Sequence, residues 1–269
     1  MATVDTGTET RDDASLLALA KVMVSKHLIL LVRYPVNTVA RLLTLIILFA
    51  VVFFGGQAVS GAALTDSLDG IIVGFFLFTL SIIAYSGLAW NVTREAQWGT
   101  LERLFMSPHG LGTVMAVKTV VNVCMSVLWA GVLLVFMMLT TGRWLTIDPL
   151  TVVPLVLLTL MSVIGIGFLF AGLALVYKRI ENVFQIVQFG FIGLIAAPTG
   201  DIEWLKLLPV AHGSYLTRMA MQNGIRLWEF PTSELALFVA TSVFYLVVGY
   251  YCFYRAGITA RTRGVMGHY

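Results

Sequence analysis

The residues with the most chemistry to offer lie between Asn91 and Gly112, which read Asn-Val-Thr-Arg-Glu-Ala-Gln-Trp-Gly-Thr-Leu-Glu-Arg-Leu-Phe-Met-Ser-Pro-His-Gly-Leu-Gly. At about 100° per residue, Trp98, Leu101 and Phe105 share one helical face. Glu95 and Glu102 stand together beside that face, with Arg103 further round. Ser107-Pro108 stops the helix, and Gly110 and Gly112 punctuate a turn. Carboxylates, a guanidinium and an indole on one short amphipathic helix suit recognition: ion pairs and an apolar key offered to a partner in the water. The plainer reading is a helical loop resting on lipid headgroups.

Bond-breaking chemistry finds no home in the sequence. Gly112 to Thr119 has a glycine and then Lys118-Thr119 at phosphate-loop spacing, but Val117 stands where such a loop needs glycine. No strand precedes it, and Lys118 reads instead as a headgroup anchor. His27, His109, His212 and His268 share no helical spacing with acids, so no metal site is expected. No Gly-x-Ser-x-Gly elbow occurs. The chain is read as no enzyme, with no catalytic residue, cofactor or metal of its own.

Polar residues inside apolar runs are the usual markers of a pathway. Here they are mild: Thr79, Ser81, Tyr85 and Ser86 in one run, Asn122 and Ser126 in the next, Gln185 and Gln188 on one face of a later one. They line a pathway or hydrogen-bond between helices. With no carboxylate in mid-span, a proton- or sodium-coupled carrier is disfavoured and a lipid-like or amphiphilic cargo suits better. Gly70-x-x-x-Gly74 permits close helix contact.

The elements that must position these groups follow from composition. Of 269 residues, 59% are hydrophobic and only 12% are charged, more apolar surface than a soluble protein hides. The expected class is an all-α polytopic membrane protein. A net charge of +3 gives no reason to expect a nucleic-acid partner. Cys124 and Cys252 fall inside apolar runs and read as buried small side chains.

Residues 1–14 read as a disordered tail without a cleavable signal. Residues 15–35 carry Lys21, Lys26, His27 and Arg33 and read as an interfacial helix, broken at Pro35. Six spans follow within 36–254: Val36–Ala58, Gly70–Trp90, Thr113–Thr140, Leu150–Tyr177, a short one at Asn182–Ala197, and Glu234–Tyr254. The segment 198–231, rich in Trp204, Leu205, Leu208 and Met219, reads as two short helices dipping into the membrane. A basic tail, 255–269, closes the chain. Apart from Arg143, Lys206, Arg218 and Arg226, all 17 lysines and arginines fall on one side of this layout. The positive-inside bias then puts both termini and the Asn91–Gly112 segment in the cytoplasm. There the glycosylation acceptor Asn91-Val92-Thr93 would be idle.

At this point the sequence resembles the permease subunit of type-2 ABC exporters, and the drug-exporter-like prokaryotic members in particular. Arg94-Glu95-x-x-x-Gly99-Thr100-Leu101-Glu102-x-Leu104-x-x-Ser107-Pro108 is similar to that family's first cytoplasmic loop. The tail Arg261-x-Arg263-Gly264-x-x-Gly267-His268-Tyr269 and the layout of interfacial helix, six spans and re-entrant segment are similar too. The resemblance implies a coupling helix at 94–106, in which Arg94, Glu95, Trp98, Gly99, Thr100, Leu101, Glu102, Arg103 and Phe105 dock into a separate ATP-binding subunit. It implies a homodimer in a cell membrane, surrounded by lipid and paired with two such subunits that hold the ATP and magnesium. The first and fifth spans would meet at the dimer axis, and the interfacial helix would brace the coupling helix. The very short turn from Tyr177 to Asn182 departs from the pattern and weakens a second docking contact. The expected function is export of a hydrophobic or amphiphilic small molecule. A lipid-linked glycan is the alternative cargo, and a passive channel or lipid scramblase the alternative class.

Overall fold

A computed structural model of the chain describes residues 16–60, 65–97, 106, 110–177, 180–200 and 202–262. These form eight α-helices and no strand: α1 (Leu16–Arg33), α2 (Pro35–Ser60), α3 (Thr65–Gln97), α4 (Gly110–Thr141), α5 (Pro149–Val176), α6 (Glu181–Ala196), α7 (Ala211–Asn223) and α8 (Thr232–Thr262). Two short 3-10 turns, Glu203–Leu207 and Leu227–Glu229, flank α7. Five helices, α2 to α5 and α8, are long and apolar enough to cross a membrane. The molecule is therefore an all-helical protein built for the bilayer. α6 is apolar but has only 16 residues. At 1.5 Å per residue it is about 24 Å long, against about 30 Å of hydrocarbon.

Local sequence sets the boundaries. Pro35 occupies the first turn of α2, where its missing N–H costs nothing. Asp148 caps α5, accepting from Leu150 N at 3.3 Å and from Thr151 Oγ1 at 2.7 Å, with Pro149 at the first helical position. Gly224 ends α7 in the left-handed region. Val210, which precedes α7, also has φ of 69°, a strained value for a β-branched residue. Its N–H donates to Ser162 Oγ at 3.2 Å, which ties the start of α7 to α5.

Two helices outrun the spans read from sequence. α3 extends to Gln97 instead of ending at Trp90, because no glycine or proline falls between Trp90 and Gln97. α8 continues past Tyr254 to Thr262, and Gly257 and Ala260 are buried along the extension. Cys124 differs from its reading as well, being exposed on the outside of the bundle. That position suits a small apolar side chain facing lipid.

α3 is the hub, packing against α2, α4, α5, α6 and α7. α5 and α8 form the most extensive pair. Their closeness comes from glycine: a Cβ at Gly165 would overlap the backbone of Tyr245, and one at Gly249 would overlap that of Gly165. Such contact gives dispersion energy where water cannot drive association. α3 and α4 meet where Asn122 donates to Ile83 O at 3.0 Å and Ala84 O at 3.2 Å. Gly87 leaves room for that side chain. α2 is held mainly by Phe49 and Phe53, with the Phe49 ring 5.4 Å from that of Phe75. The rest of α2 presents Val36, Ile47 and Val51 outward, as a lipid-facing helix does.

The far end of α6 is closed by α7. Ser214 Oγ donates to Ile195 O at 2.9 Å, and the Arg218 guanidinium donates to the same carbonyl. Without water, the last carbonyls of a helix need such partners. Gly70 and Gly74 of α3 lie against this junction, Gly70 beside Gln222 and Arg218, and Gly74 beside Ile195.

Candidate functional site

The end of the bundle where α3 stops and α4 starts carries the charged stretch singled out from the sequence. Arg94 and Glu95 belong to the last turn of α3 and do not open a separate helix. Trp98, Gly99, Thr100, Leu101, Glu102, Arg103 and Phe105 lie outside the described residues. Glu95 Oε1 accepts from Lys118 Nζ at 2.8 Å, with the side chains 15% and 12% exposed. Lys118 thus serves as an internal brace between α3 and α4 and not as a headgroup anchor. The whole stretch from Gly112 to Thr119 is helical.

Arg94 turns back along its own helix. Its Nε donates to Trp90 O at 3.4 Å and its Nη2 to Asn91 Oδ1 at 3.5 Å. Asn91 Nδ2 in turn donates to Gly87 O. The guanidinium is thereby folded back along α3.

The polar residues of the second span divide. Thr79, Ser81 and Tyr85 are buried, and none of their hydroxyls has a partner among the described residues. Ser86 is half-buried on the same helix. Tyr85 is fully enclosed by ring edges: Phe191 at 5.5 Å, Phe170 at 6.2 Å and Phe184 at 6.3 Å between centroids. Edge-on packing of this kind stabilises by geometry beyond area. Gln185 is exposed and Gln188 half-buried on α6, and neither hydrogen-bonds to another described residue. They therefore do not join helices within one chain. Asn122 does that, through the contact with α3.

Close to Tyr85, a cavity of about 340 Å³ opens between α5, α6 and α8. Gly165, Leu169, Phe170, Val187, Gly190, Phe191, Leu194, Phe244, Tyr245 and Val248 line it. The Tyr245 hydroxyl is engaged elsewhere, donating to Leu207 O at 3.1 Å. The remaining lining is apolar, and the glycines supply the space. An apolar ligand would find matching walls here and no ionic group to hold an ion.

A second polar cluster escaped the sequence reading. At the opposite end of the bundle, Lys206 Nζ lies 2.6 Å from Glu234 Oε1, and His212 Nε2 lies 2.9 Å from Glu234 Oε2. The hydrogen bond to Glu234 raises Lys206 above its ordinary pKa. Burial lowers that of His212, although the Glu234 carboxylate opposes it. With the carboxylate of Glu234 accepting, a neutral ring carries its proton on Nε2, and the buried Nδ1 has no partner among the described residues. Asp69 and Arg143 pair at 2.8 Å at the same end. The only sequence signal for this cluster was an acid standing at the start of the last apolar run. Among the described residues no group of histidine, cysteine and acidic side chains is arranged to hold a metal.

No protein-family model, curated protein or solved structure matches this chain.

Proposed function

We propose that this chain is the membrane subunit of an ATP-driven exporter and moves a hydrophobic or amphiphilic small molecule out of the cytoplasm or its inner leaflet. The engine is a separate ATP-binding subunit that grips the segment between α3 and α4. One observation carries the reading: the charged segment is strung between two helices that an ion pair, Glu95 to Lys118, braces together. α3 is also the hub of the bundle, so displacement of its end is passed to four other helices besides α4. Rigid elements with two arrangements transmit such a push.

In this reading α1 lies at the cytoplasmic surface and α2 to α6 and α8 are the six spans. α7 with its flanking 3-10 turns is the re-entrant segment, and both termini are cytoplasmic. Two copies assemble with two ATPase subunits in a prokaryotic cell membrane. Trp98, Leu101 and Phe105 key into the partner, and Glu102 and Arg103 make polar contacts with it. Arg94 and Glu95 hold the base of the segment. The apolar cavity between α5, α6 and α8 supports a small amphiphile over a glycan chain.

The test is purification of the chain from cells that also express candidate ATPases, followed by reconstitution. A stable partner with a phosphate-binding loop, and ATP-dependent movement of an amphiphilic dye, are the expected results. Movement of the dye by this chain alone in ATP-free liposomes would sink the reading in favour of a channel or scramblase.

A further inference from the structure

Two cavities lie along one stripe of α8. The larger, about 490 Å³, is where Glu203, Trp204, Lys206 and Leu207 of the first 3-10 turn meet Glu234 and Leu237 of α8. The other is the apolar cavity of about 340 Å³ between α5, α6 and α8, which Tyr245 and Val248 help to line. At about 100° per residue, Glu234, Leu237, Thr241, Tyr245 and Val248 share one face of α8, and none of them is buried. The Tyr245 hydroxyl donates to Leu207 O at 3.1 Å, which joins the wall of one cavity to the wall of the other. From Glu234 to Val248 is about 21 Å along the helix, at 1.5 Å per residue. Cavities of this size suit small molecules.

The two cavities differ in chemistry. In the first, Lys206 is engaged by Glu234 at 2.6 Å, and His212 lies buried and neutral behind the same carboxylate. Glu203 has no hydrogen bond or ion pair among the described residues. Two carboxylates to one ammonium leave this lining with a net negative charge. On the same cavity the Trp204 side chain is 63% exposed. An unpaired carboxylate and an open indole together suit an organic ammonium, by Coulomb attraction to the one and cation–π attraction to the other. An anionic head would meet repulsion there. The second cavity has no charged residue in its lining and takes hydrocarbon.

We propose that the two cavities form one binding site for a cationic amphiphile, with its ammonium head between Glu203 and Trp204 and its alkyl chain laid along α8, past the Tyr245–Leu207 bond, into the apolar cavity. The amphiphile of the proposed function thereby acquires a head group, and that use of the site rests on the transport reading. Binding itself stands on the cavities, whether or not an ATPase drives movement.

The experiment photolabels the full-length chain in dodecyl maltoside, with no ATPase and no ATP present. The probe is dodecyltrimethylammonium carrying a diazirine at the chain end, and a dodecyl sulfate with the same group is its match. Labelled peptides are mapped by mass spectrometry. The ammonium probe should label the lining of the apolar cavity, around Leu169, Val187 and Val248, and unlabelled dodecyltrimethylammonium should abolish that labelling. The sulfate probe should label these positions at least fivefold less. Glu203→Gln and Trp204→Ala should each reduce the ammonium labelling about fivefold, the loss of one partly exposed charge or cation–π contact. Both residues are exposed, so both variants should fold. Glu229→Gln, an acid outside the two linings, should leave labelling unchanged. Equal labelling by the sulfate probe, labels spread over the outside of the bundle, or unchanged labelling in either Glu203→Gln or Trp204→Ala would overturn the proposal. Site-directed labelling without ATP-dependent movement in the reconstituted complex would uphold the binding site and sink only the exporter reading.

Discussion

Removing one member of the Glu95–Lys118 pair should cost far more than a surface ion pair does. The charges are 2.8 Å apart on side chains that are 15% and 12% exposed. At that distance and an effective dielectric of about 20, the gross attraction is about 6 kcal/mol. Desolvation offsets roughly half of it, and deletion leaves the survivor charged in a nearly dry site, so each single variant should lose about 3 kcal/mol. Glu95→Gln and Lys118→Met, alone and combined, form a cycle to be measured by equilibrium unfolding in mixed micelles. The double variant should fall near either single one, a coupling of about 3 kcal/mol. The reversed pair, Glu95→Lys with Lys118→Glu, should recover most of the loss. Single losses below about 0.5 kcal/mol that simply add would show that the contact braces nothing. The argument for transmission through α3 and α4 would then lose its support.

Further expectations follow from the same geometry. Gly165→Ala drives a methyl group into the backbone of Tyr245 and should cost about 1–3 kcal/mol in micelle unfolding. Gly193→Ala meets open space and should be neutral or slightly stabilising. His212 is held neutral by burial among Glu234 and Lys206, below its ordinary pKa of 6.5, so the unfolded chain binds the proton more readily. Stability should therefore fall as pH drops through about 6.5, and His212→Gln should flatten that part of the profile. Glu102→Arg should leave insertion intact but separate ATP hydrolysis from transport in the reconstituted complex, and unchanged coupling would count against docking through this segment.

The spans were legible because long apolar runs bounded by charge admit one arrangement in lipid, and α2 to α5 and α8 lie where those runs lie. The terminal extensions of α3 and α8 were not, since polar sequence without a proline does not say where a helix stops. The contacts that set the site are long-range. Glu95 meets a lysine 23 positions on, and Asn122 reaches carbonyls 38 and 39 positions back. No local pattern reports such pairs. Gly165 and Gly249 look like ordinary glycines of apolar helices until the crossing of α5 and α8 places them in contact. Tyr85 misled in the other direction, because a phenol in an apolar run reads as polar while its ring is what the fold uses. His212, Lys206 and Glu234 were spread over a 3-10 turn, a helix and the next helix, too dispersed to register as one cluster.

α6 stops short, and the Ile195 carbonyl in its last turn is held by Ser214 and the Arg218 guanidinium. Lipid tails beside that junction have too little apolar helix to cover. If α6 spans the membrane as proposed, the bilayer would have to dimple there or water rise toward Arg218, and the low-dielectric layer would be thinner beside α6 than around the longer helices. An amphiphile crossing next to that helix would face a shorter dry interval than one crossing unassisted lipid.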